Sequence, residues 1–178
     1  MDNAHAPQSP SEWVTRWAGF IAAGGEALDL ACGSGRHSRY LATAGYRVCA
    51  IDHDAQALAA LTSVAGVSVQ VADLERAPWP LTGRRFAGIV VANYLYRPLF
   101  PRLLEALAED GALIYETFAL GNERFGKPTN PDFLLRPGEL LELVRGKLRV
   151  LAYEDLQVSL PEPAMVQRIC AVGPRWSP

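Results

Sequence analysis

Two glycines and three aspartates are the residues whose types and spacing best fit a ligand site. Gly33 and Gly35 form a G-x-G turn, and Asp29 precedes it. Such a turn lets a ligand approach the main chain, and the helix after it offers free N–H groups. Further along, the carboxylates of Asp52 and Asp73 are placed to accept hydrogen bonds from a ribose and an adenine amino group. The set predicts a site for a nucleoside-containing cofactor.

The residues around the turn bear on which cofactor it holds. A dinucleotide site usually has a third glycine, and Ser38 occupies that position here. Asp29 would repel a pyrophosphate and would favour a cationic ligand, such as the ammonium or sulfonium of a methionine-derived cofactor. Both observations argue against NAD, although an NAD(P)-dependent oxidoreductase stays open as an alternative.

Alternating strands and helices must position these residues. Strands are predicted at about 26–31, 46–52, 67–73, 86–94 and 112–118, with helical patterns between most of them. This alternation predicts a parallel sheet, whose ligands bind beyond the carboxyl ends of the strands. Asp29, Asp52 and Asp73 fall at or near three successive strand ends, so one ligand can contact all three.

The rest of the chain is predicted to add a cap, a helix and two closing strands. Residues 119–136 are rich in Gly, Pro and Asn, which indicates a long functional loop. Pro137 is predicted to open a helix in its first turn. Two strands follow, joined through Pro161 and Pro163 and therefore antiparallel. The predicted fold is α/β: a doubly wound, mostly parallel seven-stranded sheet with a C-terminal antiparallel hairpin.

One domain is predicted over residues 1–178. Its parts are an N-terminal tail and helix (1–25), a cofactor-binding core (26–118), a cap loop (119–136), and a C-terminal helix with the closing strands (137–178). The first ten residues are polar and are expected to be frayed. They lack the basic stretch of a signal peptide.

Composition excludes several classes of protein. The 178 residues are 49% hydrophobic and carry a net charge of −2, which argues against disorder. A pI of about 5.9 argues against a generally basic nucleic-acid binder. Three scattered cysteines and three unclustered histidines predict neither a disulfide framework nor a metal site. No apolar run reaches the roughly 18 residues of a membrane span, and the cytoplasm is the expected compartment.

The stretch LDLACGSGRHSRYLA resembles motif I of the class I S-adenosylmethionine-dependent methyltransferases. CAIDHD, QVADLE and GIVVANYLY are similar to the following motifs of that family, in the right order. The resemblance covers about residues 26–118 well and the rest in outline. Within the family, the chain looks most like the small tellurite-resistance-type enzymes and an uncharacterised methyltransferase-domain group. The resemblance implies a Rossmann-like methyltransferase fold and S-adenosylmethionine as cofactor, with S-adenosylhomocysteine as product.

The predicted cofactor contacts run along one edge of the sheet. They are Arg16, Asp29, Ala31, Cys32, Gly33, Ser34, Gly35, Asp52, His53, Asp73, Leu74 and Asn93. The resemblance implies that Asp29 and the turn backbone hold the methionine portion, and that Asp52 holds the ribose. His53 would flank the adenine, with Asp73 and Leu74 on its far side, and Asn93 would lie beneath the transferring methyl. Arg16 is placed to reach the cofactor's carboxylate if the first helix covers the site.

Two further residues near the turn are expected to have structural roles. Cys32 is expected to be a small buried filler, although a helix N-terminus can also lower a thiol pKa. His37, in the first turn of the helix after the glycines, is expected to be solvated or to cap that helix.

Residues after the fourth and fifth strands are expected to face the methyl acceptor. The candidates for catalysis are Asn93, Tyr94, Tyr96, Glu116 and Arg124, and further candidates are Arg97, Asn122, Glu123, Lys127 and Asn130. Because a sulfonium is already an activated leaving group, the enzyme mainly supplies proximity and orientation, and a base is needed only if the acceptor carries a proton. The cations Arg97, Arg124 and Lys127 suggest an anionic acceptor.

Methyl transfer to a small molecule by in-line displacement is the predicted function. Tyr94-Leu95-Tyr96 departs from the [DNS]-P-P-[YF] arrangement of amino-directed DNA and protein methyltransferases. An RNA or protein methyltransferase working with a partner subunit, and a non-catalytic cofactor-binding module, stay open beside the oxidoreductase. The sequence predicts neither the accepting atom nor the oligomeric state.

Overall fold

The computed structural model describes residues 9–178. The start of the tail, including the segment on which the absence of a signal peptide was predicted, lies outside the described residues. Within these residues the α-helices are α1 (Glu12–Trp17), α2 (Arg36–Thr43), α3 (Ala55–Ala59), α4 (Phe100–Ala106) and α5 (Glu139–Val144). The strands are β1 (Glu26–Leu30), β2 (Arg47–Asp52), β3 (Val67–Val71), β4 (Phe86–Ala92), β5 (Leu107–Phe118), β6 (Arg149–Val158) and β7 (Ala164–Val172).

The seven strands of the described part of the chain form one sheet, in the order β3-β2-β1-β4-β5-β7-β6. The first five pair in parallel, and β7 inserts antiparallel between β5 and β6. The predicted fold class, including the closing antiparallel hairpin, is confirmed. The chain order reverses between β1 and β4, which is where open sheets of this type bind ligands.

Both faces of the sheet are covered, which explains why its central strands are almost wholly apolar. One face packs against α4 and α5 through a cluster that includes Leu28, Ile89 and Leu140. The other face packs against α1 and α2 and buries Trp13 and Val90. Each such side chain contributes about 1.5–3 kcal/mol of burial free energy, so this core fixes the strand ends rigidly.

The structure shifts several predicted boundaries, among them the end of β4 at Ala92 and not at residue 94. Strand β5 begins at Leu107 and not at residue 112, because the chain leaves α4 in an extended conformation and Leu107 pairs with Phe86 before a bulge. Helix α5 begins at Glu139, because Gly138 adopts a left-handed φ of 74° and cannot belong to it. Pro137 therefore precedes the helix and is not in its first turn. Strand β3 ends at Val71, two residues before Asp73.

Candidate functional site

The glycine turn connects β1 to α2 and is tied to the end of β2. The Gly33 N–H donates a hydrogen bond of 2.8 Å to Asp52 Oδ2. Gly33 has a φ of 53°, and a Cβ built there would meet nothing within 4 Å. Gly35 has a φ of 77°, and its Cβ would collide with Leu61. Gly33 thus keeps open space above the turn, and Gly35 keeps the turn close to the core.

Asp29 lies beneath this turn and is 1% exposed. Ser38 Oγ donates a hydrogen bond of 2.6 Å to its Oδ2. Burial raises the pKa of the Asp29 carboxyl to about 6, and the Ser38 hydrogen bond opposes that rise. A cation bound above the turn would favour the ionised carboxylate.

Asp52 occupies the end of β2, as predicted, and is 7% exposed. Its Oδ1 accepts the Asp54 N–H at 3.0 Å and lies 3.0 Å from His53 Nδ1. The His53 ring itself is exposed. These contacts hold the carboxylate beside the turn and place an imidazole at the rim of the site.

Asp73 and Leu74 lie past the end of β3. Asp73 Oδ1 accepts the N–H groups of Glu75 and Arg76, and these hydrogen bonds lower the pKa of the carboxyl. Leu74 packs into the core and is 8% exposed, so only its backbone is available to an adenine.

The two central strands end in the same unusual conformation. Within residues 9–178, Ala31 and Asn93 are the non-glycine residues with positive φ, at 53° and 55°. They directly follow β1 and β4, which pair in parallel. The Asn93 N–H donates to the Glu116 carbonyl at 3.0 Å, which links this turn to β5. Backbone strain of this kind is concentrated at ligand sites and is held there by the surrounding structure.

The N-terminal helix docks beside the glycine turn. The Ser11 N–H donates to His37 Nε2 at 3.2 Å, and His37 is 3% exposed. Burial lowers the pKa of His37 to about 3, with a contribution from the Arg36 cation. The expectation of a solvated or capping histidine is therefore wrong: the neutral ring fastens the start of α1 to α2.

Two predicted residues on this side have mainly structural contacts. Arg16 lies 3.9 Å from Glu154 and is well exposed. Cys32 is 9% exposed, and burial raises the pKa of its thiol, so it is a filler and not an activated nucleophile. Ser34 is exposed at the top of the turn.

A cleft of about 490 Å³ opens beyond the ends of β4 and β5. Its lining residues are Glu75, Asn93, Tyr94, Leu95, Thr117, Phe118, Lys127, Pro128, Thr129, Asn130 and Phe133. The Tyr94 hydroxyl donates to Glu75 Oε1 at 3.4 Å, and burial raises the pKa of Tyr94. Tyr94 therefore stays a phenol at neutral pH and acts as a donor.

The structure divides the predicted acceptor residues. Asn93, Tyr94, Lys127 and Asn130 line the cleft. The others have different partners. Tyr96 donates a hydrogen bond to the Glu75 carbonyl, and Arg97 donates two to the Glu139 carboxylate. Glu123 accepts the Gly121 N–H, and Arg124 donates to the Gly121 carbonyl. Asn122 is 1% exposed and joins the cap to β7 through the Met165 N–H.

Glu116 lies away from the cleft. Arg168 lies 4.0 Å from its carboxylate. Burial raises the pKa of its carboxyl. The side chain therefore has its charged partner outside the cleft and does not line it.

Sequence reasoning missed most of the apolar lining of the cleft. Leu95, Phe118 and Phe133 read as ordinary core or loop residues, and only the fold brings them together. The signal for Thr117 and Phe118 was their place at the end of a predicted strand. Glu75 was not among the predicted site residues, although it is the last residue of the QVADLE motif.

No helix in the described part of the chain is long and apolar enough to cross a membrane. Residues 9–178 also contain no group of three or more His, Cys, Asp or Glu side chains placed to hold a metal ion.

Comparison with known proteins bears on the family. Residues 27–111 match the family described as a methyltransferase domain. No curated protein sequence matches the chain. The family match confirms the resemblance to the class I S-adenosylmethionine-dependent methyltransferases, and with it S-adenosylmethionine as the cofactor of that family.

Solved structures show the same fold. TehB from Haemophilus influenzae aligns with a TM-score of 0.77 and 21% identity, over 92% of this chain and 62% of that one. A TehB-like SAM-dependent methyltransferase from Corynebacterium glutamicum aligns with a TM-score of 0.66 and 20% identity, over 90% and 86% of the two chains. Coclaurine N-methyltransferase, bound to N-methylheliamine and SAH, aligns with a TM-score of 0.60 and 19% identity, over 82% and 49%. This chain thus spans less than two thirds of the first and third proteins.

Proposed function

Because residues 27–111 match the methyltransferase-domain family, we propose that the protein transfers a methyl group from S-adenosylmethionine to a small molecule bound in the cleft. The observation that carries this proposal is the position of Asn93. Asn93 directly follows β4, which pairs with β1, and β1 leads into the glycine turn. Asn93 also lines the cleft. A methyl group held over the turn would therefore face the cleft.

The residues at the turn fit this cofactor. Open space above Gly33 leaves room for a ligand against the main chain. The Asp52 carboxylate, fixed by the Gly33 and Asp54 N–H groups, keeps lone pairs for the ribose hydroxyls. Asp29 supplies negative charge beneath the turn, which suits a ligand with an ammonium and a sulfonium.

Bound at this site, S-adenosylmethionine would supply an electrophilic methyl group for transfer to a lone pair of the acceptor, with a thioether as the leaving group that keeps the bonding electrons. The protein's part is to bind and orient the acceptor and to exclude water. Burial raises the pKa of Tyr94, so its hydroxyl stays protonated, donates a hydrogen bond and does not act as a base. Glu75 is the one carboxylate among the residues that line the cleft, so it is the group there placed to take a proton from an acceptor.

The dimensions of the cleft support a small-molecule acceptor. Its volume of about 490 Å³ lies within the range of pockets that enclose small ligands. Its lining combines apolar side chains with a few polar groups, which is the usual composition of such pockets.

Parallel calorimetric titrations with S-adenosylmethionine, S-adenosylhomocysteine and NAD test the proposal. We expect micromolar binding of the first two and none of NAD. Binding of NAD alone would overturn the proposal. As a second test, Asn93→Gly retains the left-handed backbone while removing the side chain. If the Asn93 side chain orients the methyl group, this variant should keep its fold and lose turnover.

A further inference from the structure

Three polar side chains of the cap line one cleft together. Lys127, Thr129 and Asn130 carry an ammonium, a hydroxyl and an amide, and each is a hydrogen-bond donor. The other cap residues in the lining, Pro128 and Phe133, are apolar. The cap thus presents concentrated donors next to hydrophobic surface.

The Lys127 ammonium is the one cation in this lining. Among residues 9–178 it takes part in no ion pair. The two other predicted cations are already engaged. Arg97 makes a two-point contact with Glu139, and Arg124 lies over the Phe125 ring. Lys127 is therefore the cation available to a ligand.

Asn130 complements that charge. Its Oδ1 accepts the Asp132 N–H at 3.0 Å, which fixes the orientation of the amide. Its two side-chain N–H groups are then left for a ligand. An oxyanion between Lys127 and Asn130 would receive charge-assisted hydrogen bonds from both.

The single acid of the cleft belongs to a different element. Glu75 comes from the loop after β3, two residues beyond the predicted adenine contact Asp73. It accepts from the Tyr94 hydroxyl. Negative charge is thus supplied from the side of the cofactor contacts, and positive charge from the cap.

We propose that the methyl acceptor is a small organic acid. Its carboxylate binds Lys127 and Asn130, and its apolar body packs against Phe118 and Phe133. This inference rests on the proposed function and deepens it by naming the substrate class. The carboxylate is the group by which the protein recognises the acceptor. That recognition does not specify which atom of the acceptor takes the methyl group.

The lysine content of the chain allows a direct test, because Lys127 and Lys147 are its only lysines. The protein, saturated with S-adenosylhomocysteine, is acetylated with and without a ligand, and both lysines are quantified by mass spectrometry. The ligands are matched pairs of acid and amide: benzoate and benzamide, phenylacetate and phenylacetamide, and 4-mercaptobenzoate and its amide. At least one acid should slow acetylation of Lys127 about fivefold or more, while its amide has no effect and Lys147 reacts unchanged. If no acid protects Lys127, or if the amides protect it equally, the inference is overturned.

Calorimetry of the protecting acid supplies an independent readout. We expect Lys127→Gln to weaken its binding about tenfold and Lys147→Gln to leave it unchanged. Equal affinity in the two variants would contradict the assignment of Lys127. Titration with S-adenosylhomocysteine separates the two proposals. If the wild-type protein does not bind S-adenosylhomocysteine, the proposed function is wrong. If it binds S-adenosylhomocysteine but none of the acids, only this inference is wrong.

Discussion

Ser38 donates a hydrogen bond of 2.6 Å to Asp29 beneath the glycine turn. In a dinucleotide-binding turn the position of Ser38 holds a third glycine. The serine that argued against NAD and the acid that argued for a cationic ligand are therefore one structural feature. The serine hydroxyl holds a buried carboxylate where its charge acts on whatever binds above.

Asp29 should make stability depend on pH. Its pKa rises from 3.8 to about 6 through burial, so between these values the folded protein binds more protons than the unfolded chain. Its contribution to stability is full below about pH 4 and is lost as pH rises through 6. At pH 7.5 we expect Asp29→Asn to raise the free energy of unfolding by about 1–3 kcal/mol, measured by urea denaturation.

The exposed Asp110 offers a matched control, since Asp110→Asn changes the same chemistry at the surface. It should alter the free energy of unfolding by less than about 0.5 kcal/mol at pH 7.5. A destabilised Asp29→Asn at pH 7.5 would show that the Ser38 hydrogen bond outweighs the cost of burying the charge.

His37 should produce the opposite slope. Burial lowers its pKa from 6.5 to about 3, so in this range the unfolded chain binds the extra proton. Stability is full above about pH 6.5 and falls as the solution is acidified. His37→Gln changes the free energy of unfolding relative to the wild type. We expect that change to be about 2 kcal/mol more favourable to the folded state at pH 5 than at pH 7.5. An identical effect of the substitution at both pH values would refute the buried neutral ring.

The carboxylate of Asp52 has two roles in the structure, because it holds the Gly33 N–H and is the predicted ribose acceptor. Asp52→Ala should weaken S-adenosylhomocysteine binding ten- to hundredfold, the equivalent of about 1.5–3 kcal/mol. Asp54→Ala is the control, since Asp54 caps α3 through the N–H groups of Gln56 and Ala57. That variant should lose about 1 kcal/mol of stability and keep its cofactor affinity. Calorimetry that gives both variants equal affinity would remove Asp52 from the site.

The sheet was predictable because its signals are local. Buried central strands read as apolar runs, and the acids at or near their ends mark strand ends whatever the tertiary packing. Helix boundaries were less predictable because they depend on partners. The pairing of Leu107 with Phe86 ended α4 earlier than its helical pattern indicated.

The acceptor side was harder to predict for a similar reason. Arg97 and Lys127 look alike in the sequence as cations near the predicted site. Only the fold shows that Glu139, 42 residues from Arg97, binds the guanidinium. Likewise, Asn122 reads as a polar loop residue, whereas its partner Met165 belongs to β7.

Asn122 should control the order of the cap. Its side chain accepts the Met165 N–H at 3.2 Å and donates to the Pro128 carbonyl at 3.3 Å, so one buried amide joins the cap to the sheet. Asn122→Ala removes both hydrogen bonds and should cost about 1–3 kcal/mol of stability. Removing these hydrogen bonds should also let the cap open locally. Trypsin cleavage after Arg124 should therefore accelerate more than the decrease in the free energy of global unfolding predicts.

The neighbouring Glu123 provides the comparison for the cap. Its exposed carboxylate also bonds within the turn, to the Gly121 N–H at 2.9 Å, so Glu123→Gln should leave cleavage near the wild-type rate. Cofactor and acceptor bound together should slow cleavage after Arg124 in the wild type, since the cap contributes five of the cleft's lining residues. Slower cleavage with ligands in the wild type and not in Asn122→Ala would show that the cap closes as a unit fastened at Asn122. Equal cleavage with and without ligands would show that the cap is a fixed wall of the cleft. The acceptor would then enter the cleft without any movement of the cap.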